Sequence, residues 1–195
     1  MPFNEIGSEK IKEAFQRIDR SDFVTEKEKK DAYKDIPLSI GYGQTISQPL
    51  VVAFMLEILD LREGDKVLDV GFGSGWTTAL LAFIVGSKGE VIAIEKIPEV
   101  YEFGKRNIEK YSFLKSKRVE VFCGDGKEGR RDKAPFDRIL VSASAKDDLP
   151  ISLKEQLKVG GKAVSPIGSS VFLFLKKEEG FETVEYPGFL FVPLT

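Results

Sequence analysis

Apolar residues along the chain follow two spacings, one typical of strands and one typical of helices. Val67, Leu68 and Val70 form a short apolar run, which predicts a buried strand. Closely after it, the sequence TTALLAFIV at residues 77–85 is long and apolar enough for a buried helix. Because strand and helix patterns alternate in this way along most of the chain, we expect a parallel sheet covered by helices.

The same patterns predict the order of elements from end to end. Helices are predicted at residues 8–18, 49–61, 77–85, 98–111 and 151–158, and strands at residues 67–70, 91–94, 119–123, 138–142, 162–166, 171–175 and 189–192. Gly160 and Gly161 are interpreted as the C-cap of the last helix. The last three strands leave no room for helices between all of them, so an antiparallel edge is expected. The predicted fold class is α/β, a three-layer sandwich.

The loop after the first strand is rich in glycine. Gly71, Gly73 and Gly75 let the backbone turn sharply and approach a ligand where a Cβ atom would clash. The next helix points free N–H groups and its positive dipole end at that ligand. The spacing is one residue shorter than the dinucleotide fingerprint, so we interpret the loop as a site for the amino-acid end of S-adenosylmethionine. Glycine triplets also form ordinary turns, so the spacing alone is weak.

Acidic residues follow two more of the predicted strands. Glu95 lies where a carboxylate can accept hydrogen bonds from ribose hydroxyls, and Asp125, between two glycines, lies where one can accept from an adenine amino group. Each residue also has an ordinary explanation, as a solvated strand-end acid or as a turn residue. All three strand ends in this order are harder to explain as unrelated turns, so together they predict an adenosyl-binding site.

Further blocks of sequence extend the pattern beyond these loops. They are RSDF at 20–23, IGYGQTISQP at 40–49, IEKIPE at 94–99, APFDRILVSASA at 134–145, LKVGGKAVSPIG at 157–168 and FVPLT at 191–195. On these blocks the sequence resembles the protein-L-isoaspartate O-methyltransferases over nearly its whole length. The resemblance implies a Rossmann-like class I methyltransferase fold, S-adenosyl-L-methionine as cofactor, and isoaspartyl residues of damaged proteins as methyl acceptors.

The resemblance also implies roles for particular residues. Ser47 would be the active-site residue, which positions the acceptor carboxylate. The cofactor-binding residues would be Gln44, Thr45, Ile46, Ser47, Asp69, Gly71, Gly73, Ser74, Gly75, Glu95, Lys96, Asp125, Gly126 and Thr195. Asp69 would steer the methionyl ammonium directly or through water, and Thr195 would close over the site, although a last residue can equally fray. A simpler interpretation of Ser47 is the N-cap of the helix that starts at Pro49.

Histidine is absent from the sequence. Its absence excludes Ser-His-Asp triads and removes the usual ligand of zinc sites, so we expect no metal. Methyl transfer to a carboxylate needs no base, because the acceptor is already ionised at neutral pH. Catalysis would then depend on proximity and orientation.

The remaining composition bears on partners and location. The formal net charge is −2 and no long basic block is present, so we expect no nucleic-acid partner. No apolar run reaches the roughly 20 residues of a bilayer span and no signal-peptide pattern is present, so we expect no membrane partner and a cytoplasmic location. Cys123, the one cysteine, is predicted to be a buried structural thiol. We expect a monomer with one domain over residues 1–195, in which residues 1–48 form an N-terminal flank or lid.

Three residues depart from the pattern of the resembled family. Most members follow the TIS motif with Ala-Pro-His, whereas this chain has Gln48, Pro49 and Leu50, and Lys146 ends a block that usually ends in proline. These positions lie where the resemblance puts the peptide. Two alternatives therefore stay open, a class I methyltransferase with a small-molecule or RNA acceptor and a catalytically idle S-adenosylmethionine-binding module.

Overall fold

The computed structural model describes residues 7–192 and 194. Its strands are β1 Leu38–Gly41, β2 Gln44–Ile46, β3 Lys66–Val70, β4 Glu90–Glu95, β5 Val119–Cys123, β6 Phe136–Val141, β7 Leu157–Ile167, β8 Ser170–Lys176 and β9 Phe181–Pro187. Its α-helices are α1 Glu9–Arg17, α2 Pro49–Leu59, α3 Trp76–Val85, α4 Pro98–Glu109 and α5 Ile151–Gln156. Short 3₁₀ helices cover Arg20–Phe23, Glu26–Asp31 and Gly126–Glu128.

Seven strands form the main sheet in the order β5-β4-β3-β6-β7-β8-β9. The pairs from β5 across to β7 are parallel, and β8 and β9 add an antiparallel edge, as predicted. β1 and β2 form a separate hairpin. Since β3 has β4 on one side and β6 on the other, the carboxyl end of β3 is the point where a ligand crevice opens in sheets of this class.

Helices cover both faces of the sheet. Successive residues of a strand therefore pack into two different hydrophobic cores, one on each face. Val67 packs in a cluster with residues of α1 to α4, whereas Leu68 and Val70 pack in a second cluster with Leu153 of α5. Strands buried on both faces carry continuous apolar runs, which explains the pattern read from the sequence. The fold is therefore the predicted three-layer α/β sandwich.

The N-terminal flank packs on the same core. Ser8 caps α1 by accepting a hydrogen bond from the Ile11 amide at 3.4 Å, and Ile11 and Ala14 are buried. Phe15 packs edge-on against Trp76 of α3, with ring centroids 5.2 Å apart. No helix in the part of the chain that the structure describes is both long and apolar enough to cross a bilayer.

Two predictions about the C-terminal elements are wrong. Helix α5 ends at Gln156 and β7 begins at once, so the glycine pair does not cap the helix. Gly160, at a φ of +79°, lies instead in an irregular part of β7, where the register against β6 shifts. Residues 189–192 form no strand, and the last strand is β9, which alternation of apolar residues did not reveal because its residues 182–185 are exposed at the sheet edge.

The prediction of a buried Cys123 is also wrong. The thiol is exposed, because β5 is the other edge of the main sheet and Cys123 is its last residue. An apolar sequence run indicates a strand but does not tell an edge strand from a central one.

Candidate functional site

A cleft opens at the carboxyl ends of β3 and β4, with about 700 Å³ of space that is partly open to solvent. This central cleft is lined by Gln44, Thr45, Ile46, Ser47, Val70, Gly71, Phe72, Gly73, Ser74, Thr77, Ile94, Glu95, Lys96, Ile97, Gly126, Ser142, Ala143, Val192 and Leu194. Most of the residues predicted for the site therefore come together in one place.

Some predicted residues lie elsewhere, and some lining residues were not predicted. Asp69, Gly75 and Asp125 are outside the lining, and Thr195 lies outside the described residues. The lining residues outside the predicted cofactor-binding set are mostly apolar: Val70, Phe72, Thr77, Ile94, Ile97, Ser142, Ala143, Val192 and Leu194. Several adjoin a predicted residue at a strand end, which is the one signal that could have found them.

Glu95 holds the glycine loop against the end of β4. Its Oε2 accepts from the Gly73 amide at 3.0 Å, and its Oε1 accepts from the amides of Lys96 and Ile97 at 2.8 and 3.0 Å. The residue is only 7% exposed, yet it lines the central cleft. An ionised carboxylate offers about four acceptor positions, so three amides leave it room for about one further donor from a ligand.

Gly75 faces helix α4 rather than the central cleft. At a φ of +85°, it is the N-cap of α3, and a Cβ there would lie 2.7 Å from Ile108 Cγ1. Gly104 of α4 is equally confined, since its Cβ would lie 2.3 Å from the Gly73 carbonyl oxygen. The absence of both side chains lets α4 pack directly against the glycine loop.

Asp69 is fully buried behind the wall of the cleft. Thr78 Oγ1 donates to its Oδ2 at 2.7 Å, and the Ser142 side chain is a second hydrogen-bonding group beside this carboxyl. Burial raises the pKa of Asp69 to about 7, opposed by hydrogen bonds from Thr78 and Ser142 and reinforced by the charge of Glu95. The geometry keeps this carboxyl away from direct contact with a molecule in the cleft.

Asp125 links the ends of β4 and β5. It caps the 3₁₀ helix Gly126–Glu128, with Oδ1 accepting from the Lys127 amide at 3.0 Å, and its Oδ2 accepts from Lys96 Nζ at 3.1 Å. Asp125 itself is exposed, and its neighbour Gly126 lines the cleft. Asp125 thus caps the turn that carries Gly126 at the edge of the cleft.

Ser47 is not the N-cap of α2. The capping residue is Gln48, and its own side chain makes no capping bond. Asp35 supplies the acceptors instead, since its Oδ1 accepts from the Leu50 amide at 2.9 Å and its Oδ2 from Gln48 Nε2 at 2.8 Å. The capping interpretation of Ser47 is therefore wrong, and Ser47 is one of the residues that line the central cleft.

Arg20 fixes the backbone of the segment that carries Ser47. The guanidinium, 4% exposed, donates to the carbonyl oxygens of Ala32, Lys34, Ile36 and Ser47 at 2.6, 3.3, 2.9 and 3.1 Å. It lies 5.3 Å from the ring centroid of Trp76. Burial lowers the pKa of Arg20 to about 10, opposed by the charge of Asp35, so the group remains a cation at neutral pH.

A second depression, the outer groove, continues from the central cleft. Its lining is Pro37, Thr45, Ser47, Gln48, Val51, Ser142, Gly188, Phe189, Leu190, Phe191 and Val192. Thr45, Ser47, Ser142 and Val192 line both depressions, and Leu190 at the groove is 91% exposed. Ser47 therefore lies where a molecule in the outer groove would meet a molecule in the central cleft.

Of the three residues that depart from the resembled family, one lines the outer groove. Gln48 does so, whereas Leu50 is half-buried outside both linings and Lys146 is exposed outside both. Residues 7–192 and 194 contain no group of three or more His, Cys, Asp or Glu side chains arranged to hold a metal ion.

Comparison with known families and curated proteins gives matches over nearly the whole chain. The family model for protein-L-isoaspartate(D-aspartate) O-methyltransferase (PCMT) matches residues 4–195. Protein-L-isoaspartate O-methyltransferase 1 of Archaeoglobus fulgidus is 47% identical over 189 residues, which cover 96% of this chain and 86% of the relative. Protein-L-isoaspartate O-methyltransferase of Pyrococcus horikoshii is 47% identical over 195 residues, which cover 97% of this chain and 86% of that relative.

Solved structures give the same result. A protein-L-isoaspartate O-methyltransferase superposes with a TM-score of 0.88 at 32% identity, and the match covers 96% of this chain and 62% of that longer one. A Plasmodium falciparum protein described as a protein-L-isoaspartate O-methyltransferase, solved with S-adenosyl-L-homocysteine, superposes with a TM-score of 0.86 at 26% identity, over 97% of this chain and 91% of its own.

Proposed function

The chain belongs to the protein-L-isoaspartate(D-aspartate) O-methyltransferase family, and on that basis we propose that it methylates the free carboxylate of L-isoaspartyl residues in damaged proteins. Its cofactor is S-adenosyl-L-methionine. The observation that carries the proposal is the position of Ser47, which lines both the central cleft and the outer groove. A methyl donor in the cleft and a peptide in the groove would meet at this residue.

The central cleft has the donors, acceptors and apolar walls that the cofactor needs. The amides of Gly71 and Gly73 are already bonded, to the Ile94 carbonyl oxygen and to Glu95, so these two glycines would serve by letting the loop backbone approach the methionyl end closely. Glu95 would accept one ribose hydroxyl with its remaining capacity, and Ile97 and Gly126 would enclose the adenine. When bound, the cofactor supplies a methyl group on a positively charged sulfur.

The acceptor side uses positioning rather than proton transfer. The isoaspartyl carboxylate is ionised at neutral pH, so no residue has to remove a proton from it. Ser47 would donate a hydrogen bond to one carboxylate oxygen and leave the other aimed at the methyl group. Walls formed by Val192 and Leu194 would keep water away from the reacting atoms. A chain without histidine can perform this chemistry.

The wider setting is part of the same proposal. One methyltransferase domain would cover residues 1–195 with residues 1–48 as its flank, supported by the shared core of Ile11, Ala14 and α3. A reducing cytoplasm suits an exposed free thiol such as Cys123. A net charge of −2 is consistent with protein substrates rather than nucleic acid.

The test compares two peptides that differ in one linkage. An isoaspartyl peptide and its aspartyl twin are incubated with the protein and S-adenosyl-L-methionine, and methylation is followed by mass spectrometry. We expect at least roughly hundredfold preference for the isoaspartyl form, which corresponds to about 2.7 kcal/mol in the transition state. If neither peptide is methylated while an RNA or a small acid is, the acceptor is wrong and the cofactor assignment survives. Cofactor binding without any methylation would indicate an idle module.

A further inference from the structure

Asp35 decides which way the side-chain amide of Gln48 points. An ionised carboxylate only accepts hydrogen bonds, and both Asp35 oxygens are used, one by the Leu50 amide and one by the Gln48 side chain. The atom of Gln48 that lies 2.8 Å from Asp35 must therefore be the NH₂ nitrogen. Because the amide cannot flip without losing this bond, its oxygen faces away from Asp35.

That oxygen is an available acceptor in the outer groove. Among residues 7–192 and 194, no donor is hydrogen-bonded to Gln48 Oε1, and Gln48 lines the groove. The atom is also not enclosed, because it is not among the buried side-chain atoms that lack a partner in this part of the chain. It is therefore an accessible acceptor on a residue that lines the groove.

Ser47 and Gln48 together present a donor and an acceptor at neighbouring positions. Both line the outer groove, and both are held from the flank, since Arg20 binds the Ser47 carbonyl and Asp35 binds the Gln48 amide. This pairing matches an isoaspartyl residue, whose carboxylate and N–H are bonded to the same carbon. In a normal aspartyl residue the free carboxylate is one carbon further from the N–H.

We propose that Gln48 Oε1 accepts the N–H of the isoaspartyl residue while Ser47 donates to its carboxylate. Gln48 would then be a specificity-determining residue, because a carboxylate one carbon further away cannot satisfy both contacts at once. The inference rests on the proposed function and goes further, since it assigns the choice between the two linkages to a residue that departs from the family's usual sequence.

The experiment removes the proposed hydrogen bond in two ways, by a change in the protein or by a change in the peptide. Gln48→Met keeps the side-chain length without the amide, and an isoaspartyl peptide with an ester oxygen in place of the isoaspartyl N–H lacks the donor. We expect either change alone to lower kcat/KM about tenfold, and both together to lower it no further. The preference of Gln48→Met for the isoaspartyl over the aspartyl peptide should narrow by a similar factor. Gln16→Met, at an exposed position of α1, is the matched control.

Two outcomes separate this inference from the proposed function. A wild-type protein that leaves the isoaspartyl peptide unmethylated overturns both. A wild-type protein that methylates it, while Gln48→Met is slowed as much on the ester as on the amide peptide, overturns the role of Gln48 alone. Should Gln48→Met fail to fold, Asp35→Asn frees the amide to turn while it keeps an acceptor for Leu50. A narrowed linkage preference in that variant supports the inference, and an unchanged preference contradicts it.

Discussion

The central cleft and the outer groove are held in shape by different kinds of contact. In the cleft, Glu95 binds amides of its own strand end and of the neighbouring glycine loop, so the geometry comes with β3 and β4. In the groove, Arg20 and Asp35 reach from the N-terminal flank to the segment around Ser47. The cofactor side is thus built into the sheet, whereas the acceptor side depends on docking of a separate segment.

The largest expected effect is at Asp69, which lies in β3 behind the cleft and tests how the sheet supports the cofactor side. Burial raises its pKa from an ordinary value of 3.8 to about 7. Between these two pKa values the native state keeps the proton on Asp69, whereas the unfolded chain has released it. The contribution of Asp69 to the free energy of unfolding is therefore complete below about pH 4 and is lost as the pH rises through about 7. The loss reaches about 4 kcal/mol as an upper limit.

Asp69→Asn should remove this pH dependence from the free energy of unfolding. Urea denaturation between about pH 4 and about pH 7 measures it. Asp147→Asn, at an exposed position, is the matched control and should keep the wild-type slope. Identical slopes in wild type and Asp69→Asn would mean that the native carboxyl titrates as it does in water.

Arg20→Ala tests how the N-terminal flank supports the acceptor side. The change leaves four carbonyl groups without a charged donor, so we expect the free energy of unfolding to fall by about 3 kcal/mol. Methyl transfer should fall further than affinity for S-adenosyl-L-homocysteine, as measured by kinetics and calorimetry. Arg17→Ala, at the exposed end of α1, is the control. Equal losses in turnover and cofactor affinity would break the comparison between cleft and groove.

The cofactor side is tested on its own by Glu95→Ala. We expect the dissociation constant of S-adenosyl-L-homocysteine to rise by the equivalent of roughly 1.5–3 kcal/mol, because one ligand contact and the tie to Gly73 are lost together. Turnover at saturating cofactor should change less. Calorimetry of Glu99→Ala, an exposed acid at the start of α4, provides the baseline. An unchanged dissociation constant in Glu95→Ala would remove this residue from the site.

Ser47→Ala should give the smallest change in free energy and the clearest separation of roles. We expect methyl transfer to fall by about ten- to hundredfold, or roughly 1.4–2.8 kcal/mol, through loss of one hydrogen bond to a charged acceptor. The melting temperature should not move, because Asp35 rather than Ser47 provides the acceptors for the start of α2. Ser87→Ala, at an exposed turn, is the control. A lower melting temperature with normal turnover would return Ser47 to a structural role.

The fold could be predicted from the sequence wherever burial on both faces leaves a local pattern. β3 and β4 carry continuous apolar runs, and α3 between them is a long apolar segment. β9 could not be found in this way, since an edge strand with exposed side chains has no reason to be apolar. The glycine pair in β7 has the same appearance as a helix end, and only the pairing with β6 tells the two apart.

The functional site also has one part that a local sequence pattern predicts and one part that it does not. The glycine loop and Glu95 could be predicted because each stands at the end of a recognisable strand. The outer groove draws on residues near 37, 48, 142 and 190, and no local pattern connects segments so far apart. The orientation of the Gln48 amide depends on Asp35, thirteen residues earlier, and is a property of the folded chain alone.

The exposed thiol at the end of β5 offers a direct view of the cofactor side. Cys123 is the one cysteine in the sequence, so a maleimide fluorophore or a nitroxide would attach at a single position without any mutation. It pairs in register with Glu95 and stands three residues before Gly126 of the cleft lining. A label there would report occupancy of the central cleft in real time, while the outer groove stays chemically untouched.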